Sequence, residues 1–304
     1  MSSTIGVLAV HQITTAFVSD GQLVRLLRSH PDVSADVLAD MPVDEILARI
    51  AQEVQRVADA KTIEGIGVAI PGIVRHGMIE DSPNLPQLKG TPLSSHLTDA
   101  LQTLGQNCPV FLFNDADATA AGIAAQTQEL NRLIRVWTLG SGIGLGRYPA
   151  AEGVWEGGHM VITLDPKENH CACGGIGHLE GIMGNRAIRL RFMDLEPEEV
   201  FRRASQGDAR CHDFVMLWHR ALAAASASCI HLDGPGEFFL TGPNSRFIDL
   251  RLLHVYIDSM VRMSPLQGSS FKIIETGEEI GVLGAAVNAS LALDTHRQEP
   301  WQTR

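Results

Sequence analysis

Glu156-Gly157-Gly158-His159, then eleven residues, then Cys171-Ala172-Cys173-Gly174-Gly175-Ile176-Gly177-His178-Leu179-Glu180, is the stretch that decides how this chain reads. Two cysteines one residue apart, with two histidines nearby, can close a tetrahedral Cys₂His₂ shell, and closed four-ligand shells are structural zinc sites. The glycines between them let the chain fold back tightly. His170 competes as a ligand, and a pair of loop cysteines with unrelated histidines would look much the same.

The rest of the chain is that of a sizeable globular protein. It has 304 residues, 45% hydrophobic and 19% charged, enough for two domains. No apolar run reaches the ~18 residues of a membrane span, and no basic-then-apolar leader opens the sequence, so the cytoplasm is the expected location. The net charge of −11 and the lack of a basic stripe argue against a duplex nucleic acid partner. Arg25 to Arg28 and Arg186 to Arg191 read as solvated helix faces. The other cysteines, Cys108, Cys211 and Cys229, have no ligand-like spacing and read as inert thiols.

Strands and helices alternate along the chain, which indicates an α/β protein. Strand character runs from Ile5 to Val18, followed by a turn at Asp20-Gly21 and a hairpin return at Leu23 to Leu27. Val43 to Ala58 carries Ile46, Leu47, Ile50, Val54 and Val57 at helical spacing. A buried strand over Ile63 to Ile70 ends at Pro71-Gly72, and a helix covers Thr91 to Leu104. The short strand Val110 to Phe113 leads through Asn114-Asp115 into an alanine-rich helix, Ala116 to Gln126. Asp115 therefore stands at the carboxyl end of a strand, where open α/β sheets bind ligands. Aspartate is also favoured at helix N-caps. Leu133 to Leu139 is a strand ending in a glycine-rich turn. Residues 186–261 read as largely helical around a strand at Phe238 to Leu240. Val282 to Leu293 reads as a helix of small residues, and 295–304 as a polar tail.

The motif around His159 and Cys171 resembles that of the ROK family of sugar kinases and regulators: Glu-x-Gly-His, about ten residues, then Cys-x-Cys-Gly-x-x-Gly-Cys-x-Glu, with His178 here in place of the third cysteine. Further motifs follow in the family's order. They are Gly65-Ile-Gly-Val-Ala-Ile-Pro71-Gly72, Ser82-Pro83-Asn84-Leu85-Pro86, Asn114-Asp115-Ala116-Asp117-Ala118, Leu139-Gly140-Ser141-Gly142-Ile143-Gly144-Leu145-Gly146, and Gly281-Val-Leu-Gly284-Ala285-Ala286.

The resemblance implies a two-domain actin-like ATPase (ribonuclease H-like) α/β fold with sugar in the cleft between domains. The smaller domain would be 1–115 plus the C-terminal helix 285–304. The larger would be 116–284 and carry the zinc loop. A structural zinc on His159, Cys171, Cys173 and His178 is implied, as are sugar contacts from Asn84, Asn114, Asp115, Glu156, His159 and Glu180. Asp115 would be the general base for phosphoryl transfer from Mg-ATP. Backbone groups at Gly140, Ser141, Gly142, Gly144 and Gly242 would face the nucleotide. A homodimer or homotetramer is implied as well.

Three departures touch nucleotide or pocket-edge positions. The family's Asp-x-Gly-Gly-Thr turn is replaced by Gly6-Val7-Leu8-Ala9-Val10-His11-Gln12, leaving His11 and Gln12 as its polar groups. Only nine residues, Arg147 to Trp155, separate the glycine loop from Glu156, so a pocket wall is shortened or rebuilt by Trp155. Pro243 after Gly242 removes an N–H donor. A carbohydrate kinase acting on a hexose or N-acetylhexosamine is the first expectation. A non-catalytic sugar-binding sensor, a pseudokinase, is the second. A DNA-binding repressor of the same family is disfavoured, because the first strand starts at Ile5 and leaves no room for a helix-turn-helix before it.

Overall fold

The structure, a computed structural model, describes residues 3–28, 37–59, 61–150, 153 and 156–298. Eleven strands occur in these residues: β1 Ser3–Ala9, β2 Ile13–Ser19, β3 Gln22–Arg28, β4 Gly65–Ile70, β5 Ile73–Arg75, β6 Met78–Asp81, β7 Val110–Asn114, β8 Ile134–Leu139, β9 Ile143–Tyr148, β10 Glu237–Thr241 and β11 Ser270–Ile273. The helices are α1 Val43–Ala58, α2 Leu93–Thr103, α3 Asp115–Gln126, α4 Glu180–Met183, α5 Asn185–Arg191, α6 Pro197–Ser205, α7 Ala209–Asp233, α8 Leu250–Met260 and α9 Glu278–Gln298.

Two compact units result. One comprises Met1–Arg132, Gly146–Val154 and Thr276–Arg304, and the other Leu133–Leu145 and Trp155–Glu275. The helix that Asp115 begins belongs wholly to the first unit, which runs on to Arg132, past the boundary at 115 expected from sequence.

In the first unit a five-stranded sheet has the order β3-β2-β1-β4-β7. β1 is antiparallel to β2 and parallel to β4, and β4 is parallel to β7. Alternation along β1 decides what each face packs against. Ile5 and Val7 join the core made with Ile46, Ile50 and Val54 of α1 and Leu93, Leu97 and Leu101 of α2. On the other face α9 lies directly on strand backbone. A Cβ on Gly6 would collide with the Val282 carbonyl, and one on Gly67 with the Ala285 carbonyl.

The second unit has a sheet of order β11-β10-β8-β9, with β8, β10 and β11 parallel. Its core gathers Trp137, Leu139, Phe238 and Leu240 from the sheet with Trp218 and Leu222 of α7.

Several elements differ from the sequence reading. The single strand expected over Ile5 to Val18 is a hairpin of its own, turning at Val10-His11-Gln12 without glycine or proline to mark it. The Arg25 to Arg28 run lies on β3, an edge strand, rather than on a helix. β9 follows the glycine-rich turn directly, and the short β5, β6 and β11 were unmarked by apolar runs. α9 is longer than the segment expected and takes in the start of the polar tail. Trp155 and residues 299–304 lie outside the described residues.

Candidate metal centre and ligand site

His159 ends a short 3₁₀ turn, Gly157–His159. Side chains at its two glycines are impossible: a Cβ on Gly157 would run into Leu145, and one on Gly158 into the Ile143 carbonyl. That close seating on β9 delivers His159 to Cys171, Cys173 and His178, and the four ligand atoms all lie within 4.8 Å of one another.

The separations are 3.3 Å for His159 Nδ1 to His178 Nδ1, 3.4 Å for Cys171 Sγ to Cys173 Sγ and 3.6 Å for Cys171 Sγ to His159 Nδ1. Cys173 Sγ lies 3.4 Å from His159 Nδ1 and 3.2 Å from His178 Nδ1. A tetrahedral zinc with Zn–S near 2.3 Å and Zn–N near 2.05 Å requires edges of about 3.3 to 3.8 Å. The donor set and its spacing therefore fit a zinc ion. His170 stands outside this group, with its carbonyl accepting from Arg186 Nη1 at 3.5 Å.

Burial pushes the Cys171 thiol up to about 12. Burial, helped by the neighbouring His159, pushes His178 below the ordinary imidazole range. A bound dication would reverse the first tendency, by favouring thiolate, and reinforce the second, by favouring neutral imidazole.

Glu180, the first residue of α4, ties this cluster to the glycine loop. Its Oε2 accepts from Ile143 N at 3.0 Å, and Cys171 Sγ donates to its Oε1 at 3.6 Å. Glu156 Oε2 lies 3.9 Å from His159 Nε2, the ring nitrogen turned away from the ligand cluster. His159 can thus serve two partners, one through each ring nitrogen.

The Gly140 to Gly144 loop is held from several sides. Gly140 N donates to Gly142 O at 3.1 Å, and Gly140 O accepts from Asn185 N at 3.1 Å. Gly144 N donates to Thr138 Oγ1 at 3.1 Å. The exposed N–H groups of Ser141 and Gly142 have no acceptor among the described residues. Gly242 has φ +88° and approaches Leu139 so closely that a side chain would collide with the strand backbone. Its glycine is therefore required by packing against β8.

In the first unit, the N-cap of α3 is Asn114. Its Oδ1 accepts from Ala116 N at 2.8 Å and from Asp117 N at 3.4 Å, and its Nδ2 donates to Gly72 O at 2.9 Å. Asn114 is thus engaged at both ends of its amide in holding the strand end to the helix start. Asp115 is the first helical residue. Burial raises its carboxyl above the usual aspartate range, against the opposing pull of backbone N–H groups and the charge of His11. Asn84 is exposed on a loop pinned by Ser82, whose hydroxyl donates to Pro71 O at 2.7 Å.

One polar group at the carboxyl end of β1 escaped the sequence reading. Glu278, at the start of α9, accepts from Gln12 Nε2 at 2.8 Å, Thr14 Oγ1 at 2.9 Å and Arg28 Nε at 3.0 Å. Burial would raise its carboxyl, but these three bonds outweigh that and hold it below the ordinary glutamate range. It stands 266 residues from Gln12, so no local pattern links the two.

A family model described as the ROK family matches residues 13–291. The glucokinase of Thermotoga maritima is 27% identical over 290 residues, covering 84% of this chain and 88% of the glucokinase. The xylose repressor of Caldicellulosiruptor bescii is 26% identical over 216 residues, covering 62% of this chain and 52% of the repressor. Among solved structures, the ROK hexokinase of Thermus thermophilus superposes with a TM-score of 0.79 at 23% identity, over 96% of this chain and 99% of that one.

Proposed function

This chain belongs to the ROK family, with its actin-like ATPase fold, and from that premise we propose that it is a carbohydrate kinase. It transfers a phosphoryl group from Mg-ATP to a hydroxyl of a hexose or N-acetylhexosamine. The observation that carries the reading is Asp115, a half-buried carboxyl of raised pKa that follows the carboxyl end of β7, the strand parallel to β4 at the edge of the sheet.

The sugar hydroxyl is a poor nucleophile until its proton is removed. Asp115 takes that proton as the hydroxyl oxygen forms its bond to the γ-phosphorus, and the bond from that phosphorus to the ADP oxygen breaks. Asn114 contributes by fixing the helix start that aims Asp115. Asn84, Glu156, His159 through Nε2, and Glu180 bind sugar hydroxyls. A carboxylate offers several lone pairs, so Glu180 can accept from sugar while it accepts from Ile143 N. The Ser141 and Gly142 N–H groups are free to meet phosphate oxygens, as expected for a turn of successive backbone donors. A zinc on His159, Cys171, Cys173 and His178 is structural, and its ligands are complete without a substrate. Held through Nδ1 in such a site, the His159 ring would be fixed in orientation, and with it the direction in which Nε2 points.

The second reading is a sugar-binding protein that transfers no phosphate. It is favoured by the β1–β2 turn, which lacks both family glycines and whose Gln12 amide is bound by Glu278. The test is incubation with Mg-ATP and a panel of hexoses and N-acetylhexosamines, with sugar phosphates read by mass spectrometry. A product that disappears in Asp115→Asn supports the kinase. Sugar binding without product from any sugar supports the second reading.

A further inference from the structure

Arg28, read from sequence as part of a solvated run, takes part in the least expected contact of the first unit. Three side-chain donors from separate places, Gln12 in the β1–β2 turn, Thr14 on β2 and Arg28 on β3, point at one carboxylate. The donors have the composition of an oxyanion site: a guanidinium, an amide and a hydroxyl. Thr14 is fully buried, so its hydroxyl depends on this acceptor. Gln12 turns its Nε2 to Glu278 although its buried Oε1 then has no partner. The polar groups are therefore arranged around the anion rather than for their own satisfaction. Arg28 Nη2 also lies 3.7 Å from Glu279 Oε2.

The location matters too. The turn follows β1 at the carboxyl end of parallel strands, beside the end of β4, which is where α/β sheets receive ligands. The contact is not sealed, since the Arg28 and Glu278 side chains retain 40% and 31% of their exposure.

We propose that Gln12, Thr14 and Arg28 form an oxyanion cradle that the chain fills with its own Glu278 carboxylate, and that a phosphate group can take the cradle only when Glu278 leaves it. Glu278 thereby acts as a built-in competitor of phosphate at this turn. The carboxylate supplies the negative charge the donors require and, by charge, repels a second anion from the same place. The proposal concerns anion binding at the turn and holds whether or not the protein phosphorylates a sugar.

The test is calorimetric titration of the full chain with inorganic phosphate and, separately, with Mg-ATP. The expected result is weak phosphate binding by the wild type and binding tighter by about tenfold or more in Glu278→Ala, since one opposing charge is removed and three donors are freed. Adding Gln12→Leu to Glu278→Ala should abolish most of that gain. Glu278→Gln keeps an acceptor for Thr14 and Gln12 while removing the charge, so it guards against a folding failure of the alanine variant and should gain about threefold or more. Phosphate affinity in both variants equal to or below the wild type, with circular dichroism unchanged, overturns the proposal. Sugar binding, measured on the same samples, reports on the kinase reading independently. A wild type that binds no sugar sinks that reading and leaves the phosphate comparison intact.

Discussion

The cluster around His159 draws its polar side chains from one short stretch and the turn after β1 draws them from both ends of the chain, and the two point in opposite senses. At the cluster, four ligand atoms converge on a common centre that no protein atom supplies, and His159 keeps a second nitrogen directed away from it. At the turn, three donors converge on a carboxylate of the chain itself. One region is arranged for a guest, and the other is satisfied from within. The second region lacks the glycines of the family's turn, and the first keeps the family's motif with His178 in place of a cysteine.

The largest effect that could break this contrast lies in the cluster. Cys171→Ala or Cys173→Ala should reduce bound zinc from about one ion per chain to almost none, because metal affinity of a closed site depends on all four ligands. Metal analysis of protein purified without chelator checks this, and a wild type devoid of zinc would leave the cluster without its guest.

Asp115→Asn comes next. Loss of the base should lower kcat by about 10²- to 10⁴-fold with little change in sugar affinity. Its stability effect has the opposite sign. Burial raises the carboxyl's pKa, so the folded chain holds the proton more tightly than the unfolded one. Folding stability therefore falls as pH rises from about 3.9, the unfolded value, through the raised folded value. The asparagine variant should melt above wild type at pH 7.5, and the two should converge near pH 3. Thermal melts across that range decide it. With Asp115 as the proposed base, the acidic limb of kcat/KM should lie above the ordinary aspartate range.

Asn114→Ala removes the α3 cap and the bond to Gly72, and should cost about 1 to 2 kcal/mol in denaturant melts. Because Asp115 begins that helix, kcat should fall with it while zinc content stays constant. Smallest is Gln12→Leu, which deletes one bond to Glu278 and also the buried, unpartnered Oε1. The two effects oppose each other, and stability should change by less than about 1 kcal/mol.

Much of the cluster was legible in the sequence because its chemistry is local. Cys171, Cys173 and His178 stand within eight residues, and the glycines around them match the motif of the resemblance. His170, adjacent to Cys171, was indistinguishable by type, and only the chain's path excludes it. The β7–α3 junction was legible as a strand-loop-helix, but the assignment of cap and base was not. Two consecutive cap-capable residues, Asn114 and Asp115, leave open which one caps, and backbone geometry gives that place to Asn114. The hairpin at Val10-His11-Gln12 lacked the usual turn residues, and β1 and β2 merged into one apolar run. Glu278 was invisible for a different reason: its partners lie at the far end of the chain, and a first-turn glutamate reads as an ordinary helix start. Gly6 and Gly67 likewise owe their identity to α9, which the order of residues around them does not announce.

The proposed sugar site can be tested without any nucleotide. The most direct measurement is calorimetric titration of the zinc-containing wild type with the hexose and N-acetylhexosamine panel in the absence of nucleotide. Saturable binding of at least one sugar is expected, one per chain, weakened in His159→Ala and retained in Asp115→Asn. No binding of any sugar by folded, zinc-containing protein would contradict it.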